Sequence, residues 1–208
     1  MISLPRTIPG IAVVVMLAIL VACTEGSESP TTADELHERA QSALGRSGTA
    51  QDHQRALELL DEALRIDSNH VPSLRSQVRL LVRAGRDREA LGRARRLAEV
   101  SGQASDQLYR CMLIERVERE NPVPLSCYHD VVERYETPET PQIERDLNYL
   151  VALKLADSPR LSDQLEQHKA RSAASKEDPN WLTDWIANSS RKEIVDQFTR
   201  IGSPAEQQ

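Results

Sequence analysis

Residues 56–90 read ALELLDEALRIDSNHVPSLRSQVRLLVRAGRDREA, and the fold is decided there. Ala56, Leu57, Leu60, Ala63 and Leu64 recur at three- and four-residue steps, which sets them on one face of a helix. Asp67, Ser68 and Asn69 mark its end. Pro72 suits the first turn of the next helix, where a missing N–H breaks no bond. That helix reaches Ala84 and stops at Gly85, and another starts near Asp87 with Ala90, Leu91, Ala94, Leu97 and Ala98 on one face. The helix ending near Ile66 and the one starting near Asp87 match at a constant offset. Ala56 pairs with Ala90, Leu57 with Leu91, Leu60 with Ala94, Ala63 with Leu97, Leu64 with Ala98 and Ile66 with Val100, each 34 residues apart.

Upstream, Thr32 and Glu35 form a capping box for a helix bearing Leu36, Ala40, Ala43 and Leu44, closed by Gly45. A 34-residue period of paired helices is the tetratricopeptide (TPR) spacing, and residues 33–100 resemble that family. Ala56 and Ala63 match the small residues of the second helix in a repeat, and Gly85 matches the turn between helices. Ser68 stands where the family usually has Pro, Arg replaces several usual apolar residues, and the loop over 45–52 is longer than standard. The resemblance implies an all-α fold, a TPR-like right-handed superhelix of antiparallel helix pairs. Helical patterns continue over 105–120, 125–135, 142–156, 161–173 and 179–200, broken by Pro-containing turns at 121–124 and 137–141. We read 101–202 as further hairpins packing on the repeats, because one helix pair cannot bury both its faces alone. Residues 203–208 read as a disordered tail.

Composition agrees with helices. Aromatics make up 3% of the chain with a single Phe, so sheets rich in β-branched and aromatic residues are disfavoured. The 208 residues suit one ordinary domain or two small ones. Collagen-like, low-complexity and multi-span membrane classes are excluded. A net charge of −6 weighs against nucleic acid as a partner.

Residues 11–22 are apolar throughout, IAVVVMLAILVA, after a lead whose only charged side chain is Arg6. Twelve helical residues rise about 18 Å, too short for a bilayer core of about 30 Å, so residues 1–22 read as an export signal. Leu20, Val21, Ala22 and Cys23 resemble the lipobox of bacterial lipoprotein signal peptides. That resemblance implies cleavage before Cys23, diacylglycerol on its thiol and an acyl group such as palmitate on the new amine. Several acyl chains at about 0.8 kcal/mol per buried methylene would hold the protein at a membrane. Thr24 in the second mature position, where enteric bacteria use Asp for inner-membrane retention, implies the outer membrane, facing the periplasm. Residues 23–32 then form a polar, flexible tether with little to bury.

No catalytic constellation emerges, and no cofactor or metal is expected. His37, His53, His70, His129 and His168 lie far apart without metal-ligand spacing. Cys111 and Cys127 are candidates for a disulfide in an oxidising periplasm, or else two small core residues. Eight arginines fall between positions 75 and 96 with only Asp87 and Glu89 among them. Arg75, Arg79 and Arg83 share one helix face. By the TPR resemblance Arg75 and Arg79 line the concave groove, so Arg75, Arg79, Arg83 and Arg86 are candidate partner-binding residues, able to clamp a carboxylate. Anionic lipid or glycan is an alternative ligand, and pairing with acids of the same chain such as Glu115, Glu118 and Glu120 is another. Trp181 and Trp185, four residues apart, are either a cap on the helical stack or a binding hot spot. The function expected is non-catalytic, an envelope adaptor or scaffold, assembly factor or pilotin-like, that holds a partner protein or peptide. An immunity or inhibitor protein against a periplasmic effector, and an envelope enzyme with a dispersed site, are the alternatives.

Overall fold

The computed structural model describes residues 31–45, 49–118, 125–137, 147–175 and 180–201. The export segment, Cys23, nearly all of the tether, the turn at 121–124, most of the turn at 137–141 and the tail at 203–208 lie outside the described residues. The described helices belong to one compact unit, Thr32–Gln208. Among the described residues there are ten helices and no strand, so the fold is all-α. They are α1 (Ala33–Leu44), α2 (Ala50–Ile66), α3 (Val71–Arg83), α4 (Asp87–Ser101), α5 (Ala104–Val117), α6 (Ser126–Tyr135), α7 (Leu147–Leu155), α8 (Leu161–Ser175), α9 (Asn180–Asn188) and α10 (Arg191–Ile201).

Local chemistry explains where these helices begin and end. At α1 the Glu35 amide donates to Thr32 Oγ1 at 3.1 Å, and the Thr32 amide donates to the Glu35 carboxylate at 3.1 Å. Each bond satisfies an amide that has no partner inside the helix. Thr49 and Asp52 do the same for α2. Between α3 and α4, Gly85 takes φ +71° while the Arg86 amide donates to the Leu81 carbonyl at 2.8 Å. A side chain at Gly85 would meet nothing within 4 Å, so the left-handed backbone alone calls for glycine.

Packing follows chain order: α1 lies on α2, α3 on α4, and α4 on α5. Residues paired by the 34-residue offset are buried alike. Ala56 and Ala90 are both fully buried, and so in near-equal measure are Leu57 with Leu91, Leu60 with Ala94 and Ala63 with Leu97. Ile66 departs from its partner Val100, being 54% exposed. The core has two parts that meet on α5: Leu113 joins the cluster built by α1–α4, while Leu108, Cys111 and Met112 join the one built by α6–α10. Cys111 and Cys127 are bonded, with Cα atoms 6.1 Å apart, and tie α5 to α6.

One correction concerns the C-terminal segment. The run over 179–200 is two helices, α9 and α10, and not one. Ser190 starts the second: its amide donates to the Glu193 carboxylate at 2.7 Å, and the Glu193 amide donates to Ser190 Oγ at 3.3 Å. The new helix α10 then packs on α5, α3 and α7 and buries Ile194, Val195 and Phe198. Polar contacts hold both its ends. Arg191 donates to Glu115 at 2.9 Å and to the Leu155 carbonyl at 2.6 Å, and its guanidinium sits 4.8 Å from the Tyr128 ring centre. Arg116 donates to Thr199 at 2.9 Å while paired with Asp87.

Candidate functional site

A cavity of about 210 Å3 lies among α3, α4, α5, α7 and α10. Its apolar wall comes from Val78, Leu97, Leu108, Met112 and Phe198, with Ser105, Tyr109 and Asn148 adding polar atoms. Arg75, Arg79 and Asp106 complete it. Helical spacing brings the charged residues there: Arg75 and Arg79 are one turn apart on α3, and Asp106 and Tyr109 are one turn apart on α5.

The arginines separate into different roles. Arg75 donates twice to Asp106, at 2.6 and 3.1 Å, and also to Gln103 at 3.1 Å. With the Asp106 side chain only 8% exposed, that pair is largely shielded from water and well geometrically matched. Arg79 is half-buried. Burial, and then the positive charges of Arg75 and Arg83, push its guanidinium below the ordinary arginine value. Burial also pushes the Tyr109 hydroxyl up to about 12, keeping it a neutral donor. Arg83 is exposed. Arg86, exposed, pairs with Glu89 at 2.7 Å, a contact within its own turn. Of the other arginines in the cluster, Arg93 meets Asp61, Arg95 meets Glu118 and Arg96 meets Glu99. Glu115 is taken by Arg191 and Tyr128, and Glu120 lies outside the described residues.

Two other groups sit elsewhere. His37 and His70 do not lie far apart: their rings meet edge to face at 5.9 Å. His37 contacts Ser76 at 3.1 Å, and His70 contacts Ser73 at 2.8 Å and Asp34 at 3.0 Å. Ser73 is fully buried, so the cluster joins α1 to α3 and gives a substrate no access to that hydroxyl. Burial first, then the charge of His70, pushes His37 below its ordinary value. Among the described residues no group of three or more His, Cys, Asp or Glu is placed to hold a metal ion. Trp181 is 59% exposed, whereas Trp185 is half-buried and stacks on Phe198 at 6.3 Å.

The sequence reading missed Ser105, Asp106, Tyr109, Met112, Asn148 and Phe198 as wall residues. The 34-residue period contained a signal for two of them. Extended one step, it carries Arg75 to Tyr109 and Val78 to Met112, and both pairs line the cavity. No described helix is long and apolar enough to cross a membrane. No family model, curated protein or solved structure matches the chain.

Proposed function

We propose that this chain is a lipid-anchored bacterial envelope protein whose helix pairs form a TPR-like right-handed superhelix. It acts without catalysis, as an adaptor or scaffold that binds an acidic partner protein along the arginine edge of α3. The observation that carries this is the charge concentrated on that edge. Arg75, Arg79 and Arg83 follow one another at one-turn steps on α3, the first two line an apolar cavity, and burial and then the charges of Arg75 and Arg83 push the Arg79 guanidinium below its ordinary value. An acidic partner relieves that crowding and gains charge-assisted hydrogen bonds. The lipobox residues Leu20, Val21, Ala22 and Cys23 support anchoring, with Thr24 pointing to the outer membrane.

The test is capture of the partner from the native envelope by crosslinking. Arg79→Glu with Arg83→Glu should abolish capture while thermal unfolding stays cooperative; capture that survives both reversals sinks the adaptor assignment. Cys23→Ala should move the protein from the membrane pellet to the soluble fraction. Retention in the pellet would show that something other than an acylated Cys23 anchors it.

A further inference from the structure

The two sulfurs of the α5–α6 disulfide sit in different surroundings. Cys111 is fully buried in the core, whereas Cys127 is partly exposed in the first turn of α6. Arg110, the residue before Cys111, reaches across to the other sulfur: its Nη2 donates to Cys127 Sγ at 3.9 Å. The Cys127 carbonyl oxygen lies 3.3 Å from Cys111 Sγ. Once the bond is open, that carbonyl accepts a hydrogen bond from a Cys111 thiol, so the buried sulfur is held in its neutral form. Burial works in the same direction, since apolar surroundings disfavour a thiolate. Cys127 has the opposite environment, with a guanidinium beside its sulfur and access to water, and both favour the thiolate. The thiolate is the attacking species in thiol–disulfide exchange, and access decides which sulfur an external reagent meets.

We propose that Cys127 is a thiol–disulfide exchange site for an external disulfide or dithiol, with Cys111 as the buried resolving cysteine. In bond formation the Cys127 thiolate attacks one sulfur of the external disulfide, and the other sulfur leaves as a thiolate. Cys111 then gives up its proton to water and attacks Cys127 Sγ, which expels the second external thiolate. Two protein thiols are oxidised and one external disulfide is reduced to two thiols. Reduction by a dithiol passes through the same mixed disulfide in reverse, because Cys127 carries the sulfur that an incoming thiolate reaches. Exchange at Cys127 requires neither a bound partner nor a membrane anchor, since only Arg110 and the two cysteines take part.

The test mixes the reduced full-length protein with oxidised glutathione and quenches the reaction with acid at intervals. Trypsin places the two cysteines in separate peptides, because Arg116 and Arg119 lie between them, so mass spectrometry locates the glutathione. In the unaltered protein glutathione should appear transiently on Cys127 and give way to the Cys111–Cys127 bond. Cys111→Ser should retain glutathione on Cys127, and it should form that adduct at least about tenfold faster than Cys127→Ser forms one on Cys111. Circular dichroism establishes that both variants are folded, and the mapping in the unaltered protein needs no variant at all. Arg110→Gln in the Cys111→Ser background should slow the reaction about threefold for each tenfold loss of thiolate, because a more basic thiolate is the more reactive one. Glutathione on Cys111 in the unaltered protein, or equal rates for the two folded variants, overturns the proposal. A rate that Arg110→Gln leaves unchanged overturns the role given to Arg110.

Discussion

Replacing Phe198 with Ala tests the seating of α10. Phe198 is 4% exposed, stacks on Trp185 and forms part of the cavity wall. Deleting a buried Phe side chain costs about 3–5 kcal/mol, the sum of lost transfer energy and the void left behind. Here the side chain borders a cavity of about 210 Å3, so removal enlarges a space that the neighbours already fail to fill. The cost therefore belongs in the upper half of that range. For a chain of this size each kcal/mol lowers the melting temperature by about 2–4 °C, so the variant should melt roughly 8–20 °C lower. Urea unfolding followed by circular dichroism gives the free energy, with an unchanged slope as the sign that only stability moved. Trp181→Ala is the control. That side chain is 59% exposed, and its loss should change stability by no more than about 0.5 kcal/mol. A cost below about 1 kcal/mol for Phe198→Ala, or one equal to the control, would refute the placement of α10 against α3, α5 and α7.

Three further predictions use the same unfolding assay. The Cys111–Cys127 bond closes a loop of sequence separation 16, so reduction should cost about 3 kcal/mol, and a reduced protein as stable as the oxidised one would contradict the bond. Tyr109 and Tyr149 are pushed up to about 12, the first by burial and the second by burial and its bond to Glu136, while an unfolded tyrosine ionises near 10. Their stabilisation is complete below pH 10 and is lost as pH rises through 12; a stability profile that is flat across that interval would be inconsistent with both positions. His37 is pushed below its ordinary 6.5 by burial and by His70, with Arg79 acting in the same sense and Asp34 and Glu38 opposing. The unfolded chain therefore binds the proton first, and stability should fall as pH drops below 6.5. His37→Gln should flatten that acid limb, and an unaltered profile would remove His37 as its source.

The N-terminal helices were readable because their boundaries are written in local chemistry. Thr32 with Glu35, Pro72 and Gly85 each satisfy or release specific backbone groups, and the apolar stripe of α2 returns on α4 34 residues later. The meeting of His37 and His70 follows from packing and not from the period. His70 is the N-cap of α3 and His37 lies in the second turn of α1, so the packing of α1 on α3 brings the rings together. Ser190 and Glu193 also carried a capping signal, but the apolar pattern runs on across it and masks the break between α9 and α10. The position of α10 could not be read at all. Periodicity tells which face of α10 is apolar, and any apolar face would accept it; only long-range packing selects α3, α5 and α7. The cavity inherits that gap, since Phe198 and Asn148 arrive from helices far along the chain. Arg75 illustrates a related limit. Its helix face was evident, yet whether it met a partner or Asp106 depended on a residue 31 positions away.

The most direct measurement places a photo-crosslinking amino acid at Arg83, on the exposed end of the α3 arginine edge, and separately at Arg55, an exposed position on α2. Illumination in living cells, followed by mass spectrometry, should give one dominant acidic adduct from position 83 and none from position 55. Adducts from position 55 alone, or none from position 83, would contradict partner binding at the arginine edge.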